Sequence, residues 1–216
     1  MSVRLEPSLE PKAWNMVCDT LKADTSIRFL PWIGPEYVPG RGLLLLGESH
    51  YSKNVDEPRE FTHQLTAGYL DGKMRHRFWT RAARLIEGRP SSSDQARQIW
   101  RGVAFFNYVQ EIVGPGARQR PSEASWQASE APFRAVLAAL RPAHLLVLGT
   151  ELWRRLPAGE GSASVELAAE RHPVRFYREA AGRVVRAMFV RHPASFGFSW
   201  RKWHPVVAAL VTQPPP

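Results

Sequence analysis

Three stretches of this chain run apolar and then break into residues that could do chemistry. Leu43–Leu46 leads into Gly47-Glu48-Ser49-His50-Tyr51, Val103–Phe106 leads into Asn107, and Val184–Val190 leads into Arg191-His192-Pro193. The three ends offer a carboxylate, an amide and an imidazole. A carboxylate and an imidazole can move protons, orient water or steady developing charge, and an amide both donates and accepts hydrogen bonds. Taken singly, each has an ordinary explanation: a strand Asn satisfies a backbone neighbour, a His before Pro turns a loop, and Glu48 opens a polar one. Their information lies in recurring together at equivalent places.

Such an arrangement needs a particular scaffold. A short apolar run bounded by turn residues, as Leu43–Leu46 is by Pro39-Gly40-Arg41-Gly42, suits a parallel strand covered on both faces. In open α/β sheets, ligands sit beyond the carboxyl ends of such strands. The spacing of Trp14, Val17, Cys18 and Leu21 predicts a helix over Pro11–Leu21. Arg28–Gly42 carries too many breakers for regular structure. Helices follow through Phe61, Leu65 and Tyr69 to Gly72, and through Phe78, Trp79, Ala82, Ala83 and Ile86 to Gly88. The strand Val103–Val109 is broken by Gly114-Pro115-Gly116. Phe133, Val136, Leu137 and Leu140 make a helix that Arg141-Pro142 ends, before the strand His144–Leu148 and Gly149-Thr150. An edge strand at Val174–Tyr177 turns through Ala180-Ala181-Gly182 into Val184–Val190, and Trp200, Trp203, Val207 and Leu210 mark a terminal helix. The alternation predicts one α/β domain over residues 1–216, a three-layer α/β/α sandwich with a central, mostly parallel sheet.

Composition narrows the partners. The formal charge is +9, with 24 Arg against 5 Lys, which favours forked contacts to phosphate or carboxylate and hence polyanions. Cys18, the single cysteine, can form neither an internal disulfide nor a zinc or iron–sulfur site. The opening Met1–Glu6 has no apolar signal core, and nothing approaches the roughly 18 apolar residues of a membrane span. A soluble, cytoplasmic monomer that binds no membrane is the expectation, with the tail Pro214-Pro215-Pro216 frayed.

In order along the chain, five motifs resemble the uracil-DNA glycosylase superfamily, over about Phe29 to Leu210. Gly47-Glu48-Ser49-His50-Tyr51 occupies the place of its first motif, which reads Gly-Gln-Asp-Pro-Tyr-His in the main uracil-excising branch and begins Gly-Glu in the iron–sulfur branch. Arg77-Phe78-Trp79-Thr80-Arg81-Ala82-Ala83-Arg84-Leu85-Ile86 resembles the Pro-Phe-then-helix segment of that second branch. Asn107-Tyr108-Val109 with Gly114-Pro115-Gly116-Ala117-Arg118 is similar to the asparagine strand and its loop. Leu140-Arg141-Pro142 through Leu148-Gly149 resembles the third strand, and His192-Pro193-Ala194-Ser195 the closing His-Pro motif.

The resemblance implies hydrolysis of the N-glycosidic bond between a flipped-out base and deoxyribose. It implies no metal and no organic cofactor, and DNA as the partner. Catalysis would fall to Glu48, orienting water or stabilising the sugar cation, and to His192, donating a hydrogen bond to the departing base. Phe78 would stack on the base and Asn107 would read its edge, with Ser49, His50 and Tyr51 completing the pocket and Tyr51 facing the pyrimidine C5. Phe196-Gly197-Phe198 would wedge into the duplex, and Arg191, Ser195, Ser199, Arg201 and Lys202 would hold the flanking phosphates.

The chain departs from the pattern at three points. Ser49 stands where the main branch has its aspartate, His50 where it has proline, and the iron–sulfur cysteines are absent. Either Tyr51 closes the pocket to all but uracil, or His50 turns the loop outward and a bulky, phage-type modified cytosine fits. No lysine matches a Schiff-base nucleophile, so base removal alone is expected. The competing readings are a DNA-binding or damage-sensing module without chemistry and an enzyme on free nucleosides. A serine hydrolase is disfavoured because Tyr51 replaces the second glycine of a nucleophile elbow.

Overall fold

The computed structural model describes residues 11–116, 119–179 and 182–213, the first five by backbone alone. The expectations for Met1–Glu6, the Trp14 side chain, Ala117-Arg118, Ala180-Ala181 and the proline tail lie outside what is described. Along the chain run α1 (Pro11–Ala23), β1 (Trp32–Ile33), β2 (Leu43–Gly47), α2 (Phe61–Leu70), α3 (Arg77–Glu87), α4 (Ser93–Ile99), β3 (Val103–Asn107) and α5 (Glu123–Ala128). There follow α6 (Glu130–Leu140), β4 (His144–Leu148), α7 (Thr150–Arg155), β5 (Gly161–Leu167), β6 (Glu170–Arg178), β7 (Val184–Val190) and α8 (Trp200–Thr212).

One seven-stranded sheet has the order β1-β3-β2-β4-β7-β6-β5. Its four middle strands, β3, β2, β4 and β7, are mutually parallel, while β1 and the β5–β6 hairpin join by antiparallel pairing. The apolar runs are continuous because both faces are covered. Leu44, Leu46, Ala104, Phe106, Leu145 and Val147 pack with residues of α1, α5, α6 and α7. Their alternates Leu43, Leu45, Val103, Phe105, Leu146 and Leu148 pack with residues of α2, α3, α4 and α8. Burying such a side chain is worth about 1.5–3 kcal/mol against leaving it in water, which makes these strands the anchor of everything at their ends.

The expected central strands and long helices are present; the differences are peripheral. Trp32–Ile33 forms a two-residue strand against β3 despite the breakers around it. The edge strand is a full hairpin, β6 running from Glu170 and pairing with β5, a strand that no pattern in the sequence predicts. β5 reads Gly-Ser-Ala-Ser-Val-Glu-Leu and is mostly exposed, so it carries no apolar run. Its turn is made by Ala168 and Ala169 at φ 48° and 63°, a left-handed pair normally signalled by Asn or Gly. α5 and α7 are six residues each, too short to display a helical period.

Candidate active site at the carboxyl edge of the sheet

Register brings the three polar ends together. Gly47 stands beside Asn107, Leu46 beside Val147, and Leu148 beside Val190, so Glu48 and Arg191-His192 leave the sheet at one level. From β2 the chain passes to β3 on one side, while β4 and β7 lie on the other. Such a reversal of direction opens a crevice at the strand ends.

After β2 the chain stays paired with the segment after β3. The N–H groups of Tyr108 and Val109 donate to the carbonyls of Gly47 and Glu48, and Val113 donates to His50. Glycine is needed at position 47, because a Cβ there would collide with the Asn107 Oδ1. Gly47→Ala should therefore push the Asn107 amide aside and reduce activity at this site by at least about tenfold with little change in thermal midpoint. Equal activity in variant and wild type would show that Asn107 need not stand where it does.

Glu48 keeps its carboxylate largely covered, at 14% side-chain exposure, and accepts Arg120 Nη1 on both oxygens, at 2.9 and 3.3 Å. Arg120 lies 72 residues away in an irregular loop, where no periodicity or spacing marks it. On the other side of the crevice the Ala194 N–H donates to His192 Nδ1 at 3.2 Å. That nitrogen is thus the acceptor, and the neutral ring carries its proton on Nε2. Burial, then the neighbouring His76 and Arg120, push the His192 pKa down to about 4, so the ring is neutral at pH 7. The loop carrying it is held from below: Arg81 Nη1 donates to the Pro193 carbonyl at 3.0 Å, and the Ser195 N–H and hydroxyl both donate to the His192 carbonyl.

Phe78 lies ring on ring with His192, centroids 5.4 Å apart and planes 25° apart, and is edged by Trp79, Trp100 and Phe105. At 8% exposure it backs His192 rather than offering an open face to a base. His76, which no motif in the sequence marks, caps α3 by accepting the Phe78 N–H on Nδ1 at 3.2 Å. Asn107 is buried, and its backbone carbonyl accepts the Gln110 Nε2 at 2.6 Å. The buried Ser49 Oγ has no hydrogen-bond partner among the described residues.

His50 is placed elsewhere than expected. It is 4% exposed, bonded to the Thr62 hydroxyl at 2.9 Å and edged by Phe29 and Phe61, so it belongs to the core. A polar residue after a glycine reads as loop; only the aromatic wall built by Phe29 and Phe61 turns it inward. Tyr51 is half-buried, its hydroxyl 3.5 Å from the Gln119 carbonyl.

In the loop after β7, Phe196 is 95% exposed, whereas Phe198 packs against the core of that face, so only one of the two aromatics projects. Ser195 spends its hydroxyl proton within the loop. Arg191 and Ser199 are exposed, Arg201 lies over the Trp200 ring at 4.4 Å, and Lys202 is 3.5 Å from the Glu170 carboxylate. Among the described residues no three metal-binding side chains cluster, and no helix is long and apolar enough to cross a membrane. No protein-family model matches the chain, and no curated protein is significantly similar to it. The chemistry of the crevice rests on its own atoms.

Proposed function

We propose that this protein is a monofunctional DNA glycosylase, hydrolysing the bond between deoxyribose and a flipped-out pyrimidine to leave an abasic site. The observation that carries the reading is that Glu48 and a neutral His192, whose filled Nδ1 leaves Nε2–H as its donor, leave the sheet at one edge. As the bond breaks, positive charge grows on the sugar and negative charge on the base. Glu48 supplies an anion that faces the first or orients the attacking water, and His192 donates to the second. Ser49 carries a buried hydroxyl with no partner among the described residues, which a base edge would satisfy, and the buried Asn107 supplies an amide that could read that edge.

The segment after β2 stays bonded alongside the segment after β3, with His50 packed inward, so it does not swing away from the sheet. That favours uracil over a bulky 5-substituted cytosine as the base removed. The test is a set of oligonucleotides carrying uracil, hypoxanthine, xanthine, thymine and 5-substituted cytosines, assayed for alkali-labile abasic sites. Uracil release is the expected result; release of the substituted cytosine alone would overturn the base assignment, and release of none would overturn the activity. One observation favours a second reading, a binding module without chemistry. Arg120 already occupies the Glu48 carboxylate. Tight DNA binding without base release would select it.

Phe196 serves in this reading as the plug for the space that the flipped base leaves. Phe196→Ala should lower release from duplex about tenfold or more while leaving single-stranded substrate nearly untouched, since only a duplex has a stack to fill. Equal losses on both would remove the wedge role.

A further inference from the structure

The contact that covers Glu48 is built with more care than a chance surface ion pair. Gly114, at φ 137°, lets the Gln119 side chain lie against its Cα, where a Cβ would collide with the amide. The Gln119 Oε1 then accepts the Gly116 N–H at 3.2 Å, and the Ser52 N–H ties the Gly114 carbonyl to the segment after Tyr51. On the far side, Pro121 is buried and Ser122 caps α5, its hydroxyl accepting the Ser125 N–H. Arg120 is thus delivered between two fixed points onto Glu48. Its own side chain is 66% exposed and packs little, so the loop is not there to bury it.

We propose that Arg120 is a positioning residue of the glycosylase site: its guanidinium holds the Glu48 carboxylate in place. This rests on the reading of the crevice given above. One nitrogen, Nη1, straddles both carboxylate oxygens, which fixes the plane of the group more firmly than a contact to one oxygen. Among the described residues no other cation bonds Glu48. The same positive charge reaches His192, where it adds to burial and to His76 in disfavouring the protonated ring. An exposed ion pair of this sort stabilises a fold by little, so its purpose is better sought in the reaction than in stability.

The experiment is steady-state base release by full-length wild type, Arg120→Ala and Arg120→Lys, on the substrate that wild type cleaves, from pH 4 to 9. Arg120→Ala should keep its thermal midpoint and lose between about tenfold and a hundredfold in kcat, with KM within about threefold, because a misplaced group costs turnover rather than binding. Its acid limb should move to higher pH, since His192 loses a neighbouring positive charge. Arg120→Lys, keeping the charge without the planar guanidinium, should recover part of kcat and restore the limb. Three outcomes overturn the proposal: wild-type kcat with an unmoved profile in Arg120→Ala, a loss confined to KM, or no recovery in Arg120→Lys. A wild type that cleaves no substrate would instead defeat the reading beneath it.

Discussion

Glu48→Gln and His192→Asn each slow base release by about a hundredfold or more while leaving DNA affinity within a few-fold, as expected for loss of one charge-stabilising or proton-handling group. Glutamine keeps the shape of the side chain beside Arg120 but removes the negative charge that faces the sugar cation. Asparagine is chosen at 192 because its side-chain oxygen can still accept the N–H two residues on, preserving the turn that Ala194 makes with Nδ1. What it lacks is the Nε2–H. The two losses should combine to less than their product, since anion and donor act on one transition state. Single-turnover release measured beside filter binding separates chemistry from affinity. Normal turnover in both variants would place the site elsewhere, and lost binding in both would point to the module without chemistry.

The second large effect concerns acid. Burial alone pushes the His50 pKa down to about 3, from an ordinary value of 6.5, and His192 is pushed to about 4. Below pH 6.5 the unfolded chain takes up protons at these positions and the folded chain does not, so stability must fall as pH falls. The window runs from about 6.5 down to 4 for His192 and to 3 for His50. For His50 the loss is on the order of 4 kcal/mol, a large share of a typical domain's stability. Denaturant midpoints at pH 7, 5 and 4 measure it. His50→Gln, which can still bond the Thr62 hydroxyl, should be less stable at pH 7 yet flatter across the window. Parallel curves for wild type and His50→Gln would show that some other group carries the acid sensitivity.

Glu48, Asn107 and His192 were legible because each ends a buried apolar run, and runs covered on two faces announce their ends. The strands Leu43–Gly47, His144–Leu148 and Val184–Val190 and the helices α1, α3, α6 and α8 were legible for the same reason, since burial forces a periodic or continuous pattern. β5 left no such trace, being exposed, and neither did α5 and α7, being short.

Sequence by itself determined that this is an α/β chain with polar groups clustered where parallel strands end, and that it is basic through arginine rather than lysine. Tertiary structure alone decided which of those groups face the crevice. His50 follows Ser49 by one residue, yet the rings of Phe29 and Phe61 draw it into the core. Phe198 is two residues from Phe196 and is packed down while its neighbour projects. Arg120 meets Glu48 across 72 residues, and Arg81 holds the His192 loop across 112. Hydrophobic burial is a local habit that repeats along a sequence. An ion pair or a ring stack is a single coincidence in space, with no period to betray it.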